Sequence, residues 1–69
     1  MKSMILRING EEKDVVKCDN LLKLINAKRL KAERIVVEHN HKIVLKEHWH
    51  EVSLNEKDNI EIVSFVGGG

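Results

Sequence analysis

Proline is absent from this sequence, and cysteine occurs once, as Cys18. A single cysteine excludes an internal disulfide framework and any metal site built on several thiolates. That count fits a reducing cytosol. No apolar run approaches the length that spans a bilayer, so no membrane partner is expected. The opening stretch MKSMILRINGEEK turns from apolar to charged at once, unlike a signal peptide. An excess of either charge is also missing: 12 Lys/Arg stand against 11 Asp/Glu, a net charge of +1. A dedicated nucleic-acid-binding domain is ordinarily strongly basic, so no nucleic-acid partner is expected. Repeats and low-complexity segments are lacking, apart from three glycines at positions 67–69.

What is present is an ordinary globular composition. The 69 residues are 42% hydrophobic and 33% charged. That is one small domain with an economical core, not a disordered chain. The near-neutral total conceals an asymmetry: residues 1–34 carry nine basic and five acidic side chains, and residues 35–69 carry three and six.

Hydrophobic periodicity orders the chain as β-β-α-β-β-β. MILRI (4–8) alternates with period two, as a strand does. Asn9–Gly10 predicts a type I′ turn, which needs positive φ at both central residues, and a return strand over roughly 13–17. In CDNLLKLIN the period changes to helical: Leu21, Leu22 and Ile25 share a face, with Leu24 at its edge. Asp19 is the expected N-cap. Asn26 can end the helix in the left-handed conformation, although Ala27, Lys28 and Leu30 are also compatible with a further turn. RIVVEH (34–39) and KIVLK (42–46) are β-rich strands around a tight turn at Asn40–His41. A polar connection follows, anchored by Trp49, Val52 and Leu54. IEIVSFV (60–66) is the last strand; it is apolar on both faces, which predicts a central position. One helix must then cover one face of a small mixed α+β sheet of four to five strands.

The last strand runs straight into Gly67, Gly68 and Gly69, the final residue given. The bland account of such a run is a frayed end. The chemical account is that Gly69 is a free terminus whose carboxylate reacts. Its unperturbed pKa of about 3.3–3.7 leaves it ionised at neutral pH, so it can attack phosphorus once positioned. Residues without side chains pass a narrow channel and reach angles closed to others. Residues 1–66 are accordingly read as the domain and 67–69 as a flexible tail. With one face of the sheet uncovered, Val63 and Phe65 are candidates for docking a partner.

Other features weigh less. His39, His41, His48 and His50 form two His-x-His pairs, but no cysteine or acid joins them in a recognised motif, so they are read as surface histidines and no metal site is assigned. Cys18 is read as a small apolar residue rather than a sulfur-relay thiol. Lys28, Arg29, Lys31 and Arg34 are read as a solvated run that suits the helix C-terminus. No nucleophile, base and orienting group fall in a catalytic spacing, so the chain is not read as an enzyme.

This order of elements resembles the β-grasp, or ubiquitin-like, fold. More closely, INGEE (8–12), LLKLI (21–25), VVEHNHKIVLKEHW (36–49) and VSLNEKDNIEIVSFVGGG (52–69) resemble, in this order, the sulfur carrier proteins of thiamine (thiazole) biosynthesis. Three positions depart from the family's pattern. His41 stands where glycine is usual after Asn40, Leu45 where proline is usual before the basic residue, and Lys57 where glycine is usual before Asp58.

The resemblance implies a carrier without a cofactor of its own, monomeric when alone and cytoplasmic. An ATP-dependent activating enzyme adenylates the Gly69 carboxylate. A sulfur donor such as a cysteine desulfurase then supplies the persulfide that converts it to a thiocarboxylate. Thiazole synthase receives that sulfur. A carrier for molybdopterin synthesis or tRNA thiolation has the same tail chemistry. A passive β-grasp interaction or RNA-binding module makes no use of Gly69.

Overall fold

A computed structural model of the protein describes residues 3–16 and 18–65. The glycine tail and Val66 lie outside the described residues, as does Lys17, with which the expected second strand ended. Five strands and one helix follow the predicted order: β1 (Ser3–Ile8), β2 (Glu11–Val16), α1 (Leu21–Ala27), β3 (Ile35–His39), β4 (Lys42–Val44) and β5 (Asn59–Ser64). Two 3-10 turns, Ala32–Arg34 and Lys46–Glu51, were not anticipated.

The sheet order is β2-β1-β5-β3-β4. β1 and β5 run parallel at the centre, and the other pairs are antiparallel. The apolar-on-both-faces reading of β5 thus gave its position correctly. Asn9 and Gly10 have φ of 52° and 81°, the left-handed pair a type I′ turn requires. Such a turn pairs Ile8 with Glu11, so β2 starts two residues earlier than its apolar content indicated.

Along β1, Met4, Leu6 and Ile8 are buried and Ser3, Ile5 and Arg7 are exposed. The buried set meets Ile35, Val37 and Ile60 from neighbouring strands, Leu21, Leu24 and Ile25 from α1, and Trp49 and Leu54 from the long connection. Leu24 therefore belongs to the core, and Leu22 is the partly buried edge residue, the reverse of the predicted assignment. Trp49 is 1% exposed. Its indole N–H donates to the Val44 carbonyl at 2.9 Å, which satisfies the one polar atom this large side chain takes into the core.

The caps of α1 differ from expectation. Asn20, extended at φ −150°, is the N-cap, and its side chain accepts from the Lys23 N–H at 2.9 Å. Asp19 lies one residue too early for that role; its carboxylate instead pairs with the Lys23 ammonium at 2.9 Å. The backbone explains the choice: Leu21 N–H donates to the Val52 carbonyl and Asn20 bridges Ser53, which fixes where the helix begins. Asn26 remains helical, and Arg29 takes the left-handed conformation at φ 59°. Cys18 sits ahead of the N-cap, half-buried against the core, with its Sγ 3.3 Å from the Val16 carbonyl.

Candidate functional site at the end of the central strand

β5 is held by β1 as far as Ile60 and by β3 as far as Ser64. Arg7 and Asn9 donate backbone N–H groups to the Asp58 and Ile60 carbonyls at 2.9 Å each. On the other side Asn40 N–H donates to the Asn59 carbonyl at 2.7 Å, and Phe65 N–H to the Arg34 carbonyl at 3.0 Å. The strand itself ends at Ser64, two residues short of the predicted 66, and β3 starts at Ile35 because Arg34 belongs to the preceding turn. Phe65 nonetheless stays tied to Arg34, so the position from which Val66 and the tail continue is fixed at the sheet margin.

Pairing fixes which side chains surround that point. Val36 lies opposite Val63. Continuing the β3–β4 register one step past Val37–Val44 brings Leu45 beside Val36. None of these is covered: Val36 is 38% exposed, Leu45 58%, Val63 58% and Phe65 47%. The two predicted docking residues, Val63 and Phe65, thus sit together on the open face at the end of β5. The sequence reading missed Val36 and Leu45. Their signal was the alternation in IVVEHNHKIVL, whose second set of apolar residues faces away from the core.

A clasp around Asp58 fixes where β5 starts. Its carboxylate accepts from His39 Nε2 at 2.8 Å, Asn40 Nδ2 at 3.2 Å and the Asn55 N–H at 2.9 Å. Asn40 Oδ1 in turn accepts from the Asn59 N–H at 2.8 Å. Burial acts to raise the Asp58 carboxyl, but the hydrogen bonds from His39, Asn55 and Asn40 and the charge of His39 outweigh it and hold the pKa below the ordinary value. His39 is therefore a half-buried partner of Asp58 and not a surface histidine. His48 and His50 are exposed beside Glu51, at 3.3 and 3.6 Å. Among the described residues no three His, Cys, Asp or Glu side chains group as metal ligands, and no helix is long and apolar enough to cross a membrane.

Two of the three departures fall on left-handed backbone, and the third on extended backbone. His41 and Lys57 have φ of 73° and 68°, the region where glycine has no steric penalty. Leu45 has φ −68° and ψ 148°, the conformation proline favours. The chain keeps the turn geometry that the missing glycines and proline would favour.

Among the described residues, a five-stranded mixed sheet with parallel central strands and one helix across one face defines a ubiquitin-like β-grasp protein. The comparisons agree. The profile of the ThiS family matches residues 6–69. Sulfur carrier protein ThiS of Bacillus subtilis is 39% identical over 66 residues, covering 94% of this chain and all of that protein. A thiazole synthase of Paramagnetospirillum magneticum is 36% identical over 66 residues, which cover 96% of this chain and 20% of the synthase. A crystal structure of a thiamine biosynthesis protein (ThiS) from Geobacter metallireducens superposes with a TM-score of 0.80 at 29% identity, covering 96% of this chain and all of that one. The chain belongs to the ThiS family.

Proposed function

We propose that this protein, a sulfur carrier of thiamine biosynthesis, holds its sulfur as a thiocarboxylate on Gly69. The observation that carries the reading is the placement of Phe65. The central strand reaches the sheet margin beside an exposed apolar row, and only Val66 separates Phe65 from the glycines. A partner that docks on Val36, Leu45, Val63 and Phe65 thereby receives the tail at a fixed starting point.

The chemistry follows from the terminal carboxylate. Ionised, it attacks the α-phosphorus of ATP in an adenylating enzyme; pyrophosphate leaves, and an acyl-adenylate forms. Cationic groups and Mg²⁺ of that enzyme offset the charge that develops. A persulfide sulfur from a donor such as a cysteine desulfurase then attacks the acyl carbon, and AMP leaves. A second thiol cleaves the resulting acyl disulfide, which frees the thiocarboxylate and leaves a disulfide between the two thiols. Gly67 and Gly68 thread the enzyme's channel, where any Cβ would add width. The folded domain supplies the docking contacts that offset the entropy of ordering so free a segment. The protein is thus a carrier and substrate; the catalytic groups belong to its partners.

Family membership supports thiazole formation over molybdopterin synthesis or tRNA thiolation as the destination of the sulfur. The thiazole synthase that contains a stretch similar to this chain supports such a synthase as the acceptor. We place the whole cycle in the cytoplasm, where thiols stay reduced. The test is ATP–pyrophosphate exchange by the cognate adenylating enzyme. Exchange should depend on this protein and should stop when Gly69 is amidated. Exchange that survives amidation would contradict the reading.

A further inference from the structure

We propose that the edge of β5 at Ile62–Ser64 that faces β1 is a docking strand for an extended, acidic segment of the activating enzyme. The proposal rests on the sulfur-carrier reading above. It starts from the pairing of the central strand. The backbone bonds Asn40–Asn59 and Phe65–Arg34 turn the odd-numbered residues of β5 toward β3. Residues of an antiparallel strand bond to alternate sides, so the even-numbered ones face β1. The Asp58 and Ile60 carbonyls are taken by Arg7 and Asn9. The Ile62 N–H is taken by the Asn9 side chain, Oδ1, at 2.8 Å. There β1 stops, because the chain turns at Asn9–Gly10 into β2. The Ile62 carbonyl and Ser64 N–H come next, and no residue of β1 lies opposite them.

The space they face is a groove of about 280 Å³ lined by Ile8, Asn9, Lys28, Leu30, Ile62 and Ser64. One acceptor and one donor on a strand edge fit the backbone of an extended peptide, which adds by main-chain hydrogen bonds. With two groups on offer the bridge is short, unlike the long open edges that cause aggregation.

Charge and position identify the occupant. Lys28, on the groove, is followed by Arg29, Lys31 and Arg34, with Glu33 the one acid between 28 and 34. None of the four cations forms an ion pair among the described residues. They are spread over a left-handed residue and a 3-10 turn instead of converging on a point, which suits a run of carboxylates better than a single bound phosphate. Ser64 precedes Gly67 by three positions, so an enzyme that takes in the tail works close to this edge.

Amide hydrogen exchange of this protein, free and saturated with its cognate adenylating enzyme, tests the proposal. The Ser64 amide should exchange freely alone and slow by about tenfold or more in the complex. Lys28→Glu, at an exposed position, should weaken the complex by about tenfold. Ser64→Pro, which removes the free N–H, should do likewise, and both variants should still reach full thiocarboxylate at saturating enzyme. An equally fast Ser64 amide in the saturated complex would overturn the docking edge. So would protection in the free protein that vanishes on deleting residues 67–69, which would make the chain's own tail the occupant. Protection that grows with protein concentration alone would also overturn it, in favour of a second copy. Normal thiocarboxylate with an unprotected Ser64 removes the docking edge only; absence of thiocarboxylate in the unaltered protein removes the sulfur-carrier reading beneath it.

Discussion

The two faces of this sheet are built from the same kinds of residue and have opposite fates. On one, Met4, Leu6, Ile8, Ile35, Val37 and Ile60 are buried beneath α1 and Trp49. On the other, Ile5, Val16, Val36, Ile43 and Val63 are left exposed. The described residues hold one helix, and it covers one face. The open face is least masked by charge at the C-terminal end of β5, where Val36, Leu45 and Val63 form a row. Farther along, Glu38 and Glu61 pair across the same strands. An exposed apolar row close to the last described residues is what a carrier needs if its fold is to present a tail.

The comparison breaks most visibly on the covered face. Trp49→Ala removes the largest fully buried side chain and is expected to cost about 3–5 kcal/mol in urea denaturation. Next comes the clasp that sets the start of β5. Asp58→Asn should cost about 1.5–3 kcal/mol at neutral pH, because it removes a carboxylate held by three donors. Its pH dependence is fixed in sign. The folded-state pKa of Asp58 is lowered, so its contribution is present above the unfolded value of about 3.9 and is lost as pH falls through the lower folded value. The gap between Asp58→Asn and the unaltered protein should therefore narrow below about pH 4. Narrowing at pH 6–7 instead would point to another group.

On the open face, Phe65→Ser should leave stability within about 0.5 kcal/mol but weaken docking to the adenylating enzyme by more than about 1 kcal/mol, read by titration calorimetry. Unchanged affinity would move the interface off this face. The smallest effects concern the three departures. His41→Gly and Lys57→Gly relieve left-handed backbone and should each stabilise by up to about 1 kcal/mol. Leu45→Pro matches its φ already and should add about 0.4–1 kcal/mol. Thermal unfolding of the three single variants checks this.

Much of this was legible in the residues. Period-two runs, the Asn9–Gly10 turn and the doubly apolar last strand gave the order of elements and the central place of β5, because each is a local demand of the backbone. Helix ends were less legible. Asp19 and Asn20 are both good caps in isolation, and the contact of Leu21 with Val52, far along the chain, chose between them. The 3-10 turns were hidden because short turns carry no hydrophobic period. His39 was misread for a similar reason: its partner Asp58 is 19 positions away. Of the candidate site, Val63 and Phe65 were proposed from one strand's alternation. Val36 and Leu45 join them through a register that only strand pairing defines.

The central claim is that the domain exists to present the Gly69 carboxylate. Intact mass spectrometry tests it most directly, on protein with Gly69 last, after incubation with ATP, Mg²⁺, the cognate adenylating enzyme, a cysteine desulfurase with cysteine, and a thiol. One oxygen replaced by sulfur should add about 16 Da, mapped to Gly69. A folded variant lacking Gly69 should stay unmodified, since its carboxylate is withdrawn by up to about 3.3–3.6 Å from the phosphorus. An unmodified intact protein in the presence of active enzyme, or full modification of the shortened one, would contradict the account.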